Sequence, residues 1–235
     1  MGAGWKIAGK SETAAARGRI FTKLAREIII AAKGGADLGG NPRLRAAVEN
    51  AKKQSMPRDT IERAIKKGSG QLDEAANFET VEYEGFAPHR VPVIVNCLTD
   101  NRNRTAGNIR TLFRKGQLGS AGAVAWDFDR LGMIEASPGP DAQAGGDADA
   151  AAIEAGAQDL EAADDGATRF FSEPTDVDVV SKGLSAMGWV VTTAKIAWRA
   201  KNPVTLDEAA KAEVVAFLEA LDEDDDVQDI YVGLA

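Results

Sequence analysis

Apolar residues recur every three to four positions from Arg17 to Lys33, and that period predicts a helix. Counting ~100° per residue, Ile20, Phe21, Leu24 and Ile28 share one face. Gly34-Gly35 ends it. NPRLRAAVENAKKQ predicts a second helix, with Asn41 as N-cap, Pro42 in the first position and Leu44, Ala47, Val48 and Ala51 as its buried stripe. MPRDTIERAIKKG predicts a third. Pro57 opens it, Asp59 sits in the positive first turn, Gly68 stops it, and Ile61, Ala64 and Ile65 face inward. Three short helices make a small bundle. Residues 1–15 show no period, and 68–78 reads as a linker.

The period then becomes two. TVEYEGF (80–86) sets Val81 and Tyr83 against Glu82 and Glu84. VPVIVNCL (91–98) is nearly all apolar, as a strand covered on both faces would be. NRNRTAGNIRTLFRKG (101–116) is a helix with Ala106, Ile109 and Phe113 inward, and AVAWDF (123–128) reads as a strand. From LGMIEAS (131–137) to WVVTTAKIAW (189–198) the order is β-α-β-β-α-β, the ferredoxin-like split unit, with Ile153, Phe170, Val179, Leu184 and Val190 as expected core. A helix (206–221) and a strand (227–234) follow. They supply what the β-β-α-β stretch at 80–128 lacks. The expected fold is therefore α+β: an N-terminal three-helix bundle and two α/β domains, the third inserted into the second. Expected boundaries are 1–78, 79–130 plus 201–235, and 131–200. SPGPDAQAGGD (137–147) is a loop.

No apolar run approaches the ~20 residues of a membrane span, and the first twenty residues lack an apolar leader core. A cytoplasmic protein without membrane contact is expected. One Cys and one His exclude zinc sites that need two such ligands from one chain. No phosphate-binding loop, nucleophile elbow or dinucleotide fingerprint is present, so neither catalysis nor a cofactor is expected. Asp222, Asp224 and Asp226 imitate the start of a calcium loop, but Val227 stands where Gly is required, and DEDDD (222–226) reads as a solvated turn. Cys97 reads as inert packing, and His89 has no nucleophile partner.

Charge changes the picture. The chain carries −8 overall, but residues 1–70 hold 15 Lys+Arg and 6 Asp+Glu, a net +9, leaving 13 and 30, a net −17, for the rest. Arg19, Lys23, Arg26 and Lys33 form one stripe opposite the apolar face of the first helix, with Lys23 and Arg26 expected to be exposed; Arg17 lies on the apolar side. The second helix adds Arg43, Arg45, Lys52 and Lys53, and the third Arg58, Arg63, Lys66 and Lys67. Such a surface either contacts nucleic-acid phosphate, which gives affinity without sequence choice, or docks on the chain's own acidic body. Arg102 and Arg104, in TDNRNRT (99–105), fall at a helix N-terminus, where cations are disfavoured. They either converge on a bound anion or pair with acidic neighbours.

ARGRIFTKLAREIIIAAK (16–33), NPRLRAAVENAKKQSMPRDTIERAIKKGSG (41–70), YEGF (83–86), CLTDNRNRTAGNIRTLF (97–113) and AVAWDFDRLGMI (123–134) resemble the YebC family, whose mitochondrial members include the translational activator of cytochrome oxidase subunit one. The resemblance implies a three-helix N-terminal domain, two α/β domains and no enzymatic activity. It implies a regulator of gene expression that binds DNA, or alternatively a ribosome-associated translation factor contacting ribosomal RNA. Only the basic positions of the helical segment, with Arg102 and Arg104, carry over. The tail GAGWKIAGKSETAAA keeps Gly4, Trp5, Lys6 and Ile7 but lacks the family's histidines, and PHRVP (88–92) replaces its Gly-rich turn.

Overall fold

The computed structural model describes residues 14–72, 77–142, 146–163 and 166–235. The tail through residue 13, and parts of the 68–78 and 137–147 segments, lie outside the described residues. The chain divides into two compact units. The first includes the start of α1 through Lys23, Asn77–Asp129 and Trp198–Ala235; the second takes α1 from Leu24, the two following helices and residues 130–197. Among the described residues no helix is long and apolar enough to cross a membrane.

Helix α1 spans Ala14–Ala32, α2 Pro42–Lys53 and α3 Arg58–Gly68. Asn41 caps α2 by accepting from the Leu44 N–H at 3.0 Å. Its amide donates to the carbonyls of Ala31 and Gly35, both at 2.8 Å, so one side chain starts α2 and closes the end of α1. The expected stripe of Leu44, Ala47, Val48 and Ala51 is buried. One local reading is corrected. Pro57 is the N-cap of α3 rather than its first residue, with φ −59° and ψ 139°. Gly68 is the last residue of α3, as expected of a stop, and a Cβ there would collide with the Ile29 carbonyl, so the glycine also serves close packing on α1.

In the first unit, β1 (Glu79–Phe86), β2 (Pro92–Thr99), β3 (Gln117–Leu118) and β8 (Val227–Val232) form an antiparallel sheet in the order β3-β1-β2-β8. Helices α4 (Arg102–Leu112) and α7 (Glu208–Asp222) supply Ile109, Phe217, Leu218 and Leu221 to a core with Val93, Val95, Cys97 and Val227. Phe113 and Phe217 meet edge to face with ring centroids 5.2 Å apart. Residues 123–128 are not the expected strand. Ala125–Asp127 is a single 3-10 turn, and the next strand begins at Phe128. The cause is Glu84, whose carboxylate takes the N–H groups of Gly122, Val124 and Ala125 and leaves them none for a ladder.

In the second unit, β4 (Phe128–Pro138), β5 (Asp159–Ala162), β6 (Thr168–Ser172) and β7 (Trp189–Ala200) pair in the order β5-β6-β4-β7, that of the ferredoxin-like unit. Helices α5 (Ala148–Ala155) and α6 (Val177–Ala186) cover one face. Phe170 and Leu184 are fully buried, as expected. Ile153, Val179 and Val190 are instead exposed, at 82%, 66% and 41%. Helix α5 turns its alanines 151, 152 and 155 inward, because Gly183 of α6 lies where a Cβ would come within 3.2 Å of the Ala155 Cα. Helix α6 buries Val177, Val180 and Leu184, and Val190 alternates with the buried Trp189 and Val191.

Candidate nucleic-acid interface

On the helical pair of the second unit, Arg43, Lys52, Lys53, Arg58, Arg63 and Lys66 are exposed, Lys67 is half-buried, and Lys33 is exposed past the end of α1. Lys52 and Lys53 occupy the last turn of α2, and Lys66 and Lys67 that of α3, where their charge also complements the helix dipole. Two cations are locally paired: Lys52 with Glu49 at 2.6 Å and Arg58 with Glu62 at 2.7 Å. Arg45 is turned inward. Its Nε donates to the Leu38 carbonyl at 2.9 Å and its Nη2 to that of Gly39 at 2.7 Å, so it staples the 34–40 loop. Among the described residues, Arg43, Arg63 and Lys66 make no ion pair.

The α1 stripe is divided. Arg17 is exposed and Arg26 half-buried. Arg19 lies 3.8 Å from Glu223. Lys23, expected to be exposed, keeps only 16% of its side chain in solvent, because its Nζ donates to the Asp222 carboxylate at 2.9 Å and the Asp222 carbonyl at 2.7 Å. Helix α7 has no basic residue in its own last turn, and Lys23 supplies that charge from α1.

At the start of α4 the two arginines separate. Arg102 is 65% exposed and sits 3.6 Å from Glu79. The Arg104 Nη2 contacts Asp226 at 2.9 Å and Asp100 at 2.9 Å. These carboxylates raise the pKa of Arg104 through its hydrogen bonds to Asp226 and then Asp100. Asp226 is 3% exposed and accepts from the buried Thr105 hydroxyl at 2.8 Å. The acidic run is a turn with Glu223 and Asp225 exposed, as expected, but its three other aspartates are engaged within the fold. Asp226 fills the position beside Arg104 that an external anion would need, Asp224 accepts from Asn108 at 3.0 Å, and Asp222 holds Lys23. The signal missed in the sequence was the pair of threonines flanking the arginines, spaced to satisfy a buried carboxylate.

A second missed residue is Glu84. On the pattern of alternation it belongs to a polar face, yet it is 7% exposed, with three main-chain N–H groups on its carboxylate at 2.6–2.9 Å. The loop so fixed carries Trp126, 69% exposed.

Residues 5–71 match the TACO1/YebC protein N-terminal domain, and residues 78–234 match the TACO1/YebC second and third domain. The chain belongs to the TACO1/YebC family. Within this family, a protein of Pseudomonas syringae pv. tomato named "Probable transcriptional regulatory protein" is 61% identical over the full length of both chains. A relative in Bdellovibrio bacteriovorus with the same description is 47% identical, again over all of both chains. The crystal structure of a conserved hypothetical protein from Aquifex aeolicus, 40% identical, superposes with a TM-score of 0.80 and covers 97% of this TACO1/YebC chain and 93% of its own.

Proposed function

We propose that the protein is a non-enzymatic regulator of gene expression that binds nucleic acid through the exposed cations of α2 and α3. The observation that carries this reading is the set of Arg43, Arg63 and Lys66, exposed and free of ion pairs among the described residues, alongside Lys52 and Lys53. Guanidinium and ammonium groups without protein carboxylates are suited to backbone phosphate, which gives affinity without base choice. Arg45, Lys23 and Arg104 are left out of this surface because each is already engaged with a carbonyl or carboxylate within the fold. Arg102, 65% exposed on the first unit, is proposed as a separate phosphate contact.

The names of the relatives favour transcription, for which DNA would be the target. Ribosomal RNA offers the same phosphate chemistry, so the target is a separate question from the surface. Charge reversal of Arg43, Arg63 and Lys66 together is expected to abolish binding to duplex DNA and to ribosomes while the melting temperature stays within a degree or two. The wild-type log–log salt slope is expected to be about one unit per phosphate contact. Salt-independent binding, or a triple variant that binds normally, removes this reading. Genome-wide DNA crosslinking compared with ribosome co-sedimentation decides between the two targets.

A further inference from the structure

We propose that Trp126 is a stacking platform for an unpaired nucleobase, so that the nucleic acid engaged by this protein includes a single-stranded segment. The inference rests on the nucleic-acid reading above and adds to it the kind of strand recognised.

Trp126 is 69% exposed, in the loop between β3 and β4. An indole left in water forgoes a large apolar gain, and the fold gives no return for it. The side chain is nonetheless held in place. The buried Glu84 carboxylate fixes Gly122, Val124 and Ala125 ahead of it, at 2.6, 2.9 and 2.9 Å. The Lys201 N–H donates to the Asp127 carbonyl behind it at 2.9 Å. The indole Nε1–H donates to the Ala123 carbonyl at 3.2 Å, which orients the ring and uses its one polar group. What Trp126 has left to offer is a flat, pre-oriented aromatic face.

The surroundings choose the occupant. Protein hot spots sit within an apolar or tightly packed patch that excludes water. In the unit that contains Trp126, no other large apolar side chain is exposed among the described residues; Leu38, Leu72, Ile153, Val179, Val190 and Ile196 all belong to the other unit. The loop neighbours Ser120, Ala121 and Gly122 are small and exposed, leaving the ring open. A lone ring with a cation close by suits a base and its phosphate. Lys201 supplies the cation. Its Nζ lies 3.2 Å from the Trp126 carbonyl and only 3.4 Å from Asp129, a loose, solvent-exposed pair that a phosphate can replace at little cost.

The test uses the full chain, with oligothymidylate and oligouridylate as single strands and a duplex of matched phosphate count. Trp126→Ala is expected to weaken both single strands by about 5- to 150-fold and to leave duplex binding unchanged. Trp126→Phe is expected to retain part of the affinity. The melting temperature should not move, since the ring is exposed. Wild-type fluorescence should be quenched by single strands, with the quenching lost in Trp126→Ala. Equal effects on single strand and duplex, or no effect on either, overturn the proposal. The triple charge reversal on α2 and α3 is run in parallel. If it abolishes duplex binding while Trp126→Ala changes nothing, the stacking site fails and the basic surface stands. If it changes nothing while Trp126→Ala selectively loses single strands, the basic surface fails and the stacking site stands.

Discussion

Lys23 and Asp222 are joined twice, through the carboxylate at 2.9 Å and through the main-chain carbonyl at 2.7 Å. A sequence stripe of four cations suggested a ligand surface, but this lysine closes the C-terminal end of α7. Replacing it with methionine removes both bonds and leaves only the looser Arg19–Glu223 pair at the end of α7. Lys23→Met is expected to lose about 1–2 kcal/mol of stability, the upper range for a partly buried cation at a helix end. Chemical denaturation at neutral pH measures it. A variant as stable as wild type would return Lys23 to the binding surface.

Arg104 and Asp226 give a result of definite sign. Were Arg104 an anion ligand, its neutralisation would relieve the positive end of α4 and stabilise the free protein. Paired as it is, Arg104→Gln is expected to destabilise by about 1–2 kcal/mol, discounted because its side chain is 46% exposed. Asp226→Ala should cost more, about 3 kcal/mol, since it removes the buried carboxylate shared by Arg104, Thr105 and Thr99 and leaves Arg104 with Asp100 alone as its ion-pair partner. Thermal melts of the two variants and their double mutant should show strong non-additivity, because both act on one contact.

Most elements were legible because their signals were local. Asn41-Pro42 marked the start of α2, and the valines of β2 marked a strand covered on both faces. Most of the failures share a cause: they depend on a partner that the local pattern does not show. Nothing near Ala123 says that Glu84 will take its neighbours' N–H groups, and the alternation of Ala, Val and Ala then imitates a strand. Ile153 looked like core because it is the largest apolar residue of its helix, yet close approach to Gly183 favours the alanine face. At the basic surface, the sequence showed the cations but not their partners. Arg45, Lys23 and Arg104 are spoken for by groups 4 to 199 residues away.

Glu84 links stability to the proposed stacking site. Glu84→Ala deprives three N–H groups of their acceptor, one of them the buried Val124 N–H. A loss of about 2–4 kcal/mol is expected. Trp126 should also lose its fixed orientation, so in a background with Trp5, Trp189 and Trp198 replaced by Phe its fluorescence anisotropy should fall while single-strand affinity drops. Stability loss with unchanged anisotropy would show that the loop holds itself.

Cys97 supplies a pH dependence. Burial first, then Asp224 and Asp226, push its thiol from the ordinary 9.0 up to about 12. The folded state thus binds the proton more tightly than the unfolded one. The resulting stabilisation is complete below pH 9 and is lost as the pH rises from 9 towards 12. Cys97→Ala should flatten that alkaline decline in the urea midpoint. In the native wild type at neutral pH, a thiol reagent should react only at the rate of unfolding. Fast native labelling would mean that the strand opens locally.

The hairpin between β1 and β2 turns on two consecutive residues in the left-handed region, His89 at φ 60° and Arg90 at φ 58°, closed by the Ala87 N–H on the Val91 carbonyl at 2.8 Å. Two successive positive φ values in this three-residue loop favour Asn and Gly, because a Cβ there costs roughly 1 kcal/mol per residue. Two contacts offset part of that cost. His89 Nε2 lies 2.9 Å from Glu213, and the Arg90 guanidinium lies 4.9 Å over the Phe86 ring. Both are exposed, so each contributes only a few tenths to about 1 kcal/mol. Replacing His89 with Asn and Arg90 with Gly together is therefore expected to stabilise the protein by about 1 kcal/mol, read as a rise in the urea midpoint with the slope unchanged. Since neither side chain belongs to the proposed binding surfaces, nucleic-acid affinity should not change. A destabilised double variant would show that the two contacts outweigh the backbone strain, and Arg90→Lys, which keeps the charge while weakening the stack on Phe86, would then show which contact dominates.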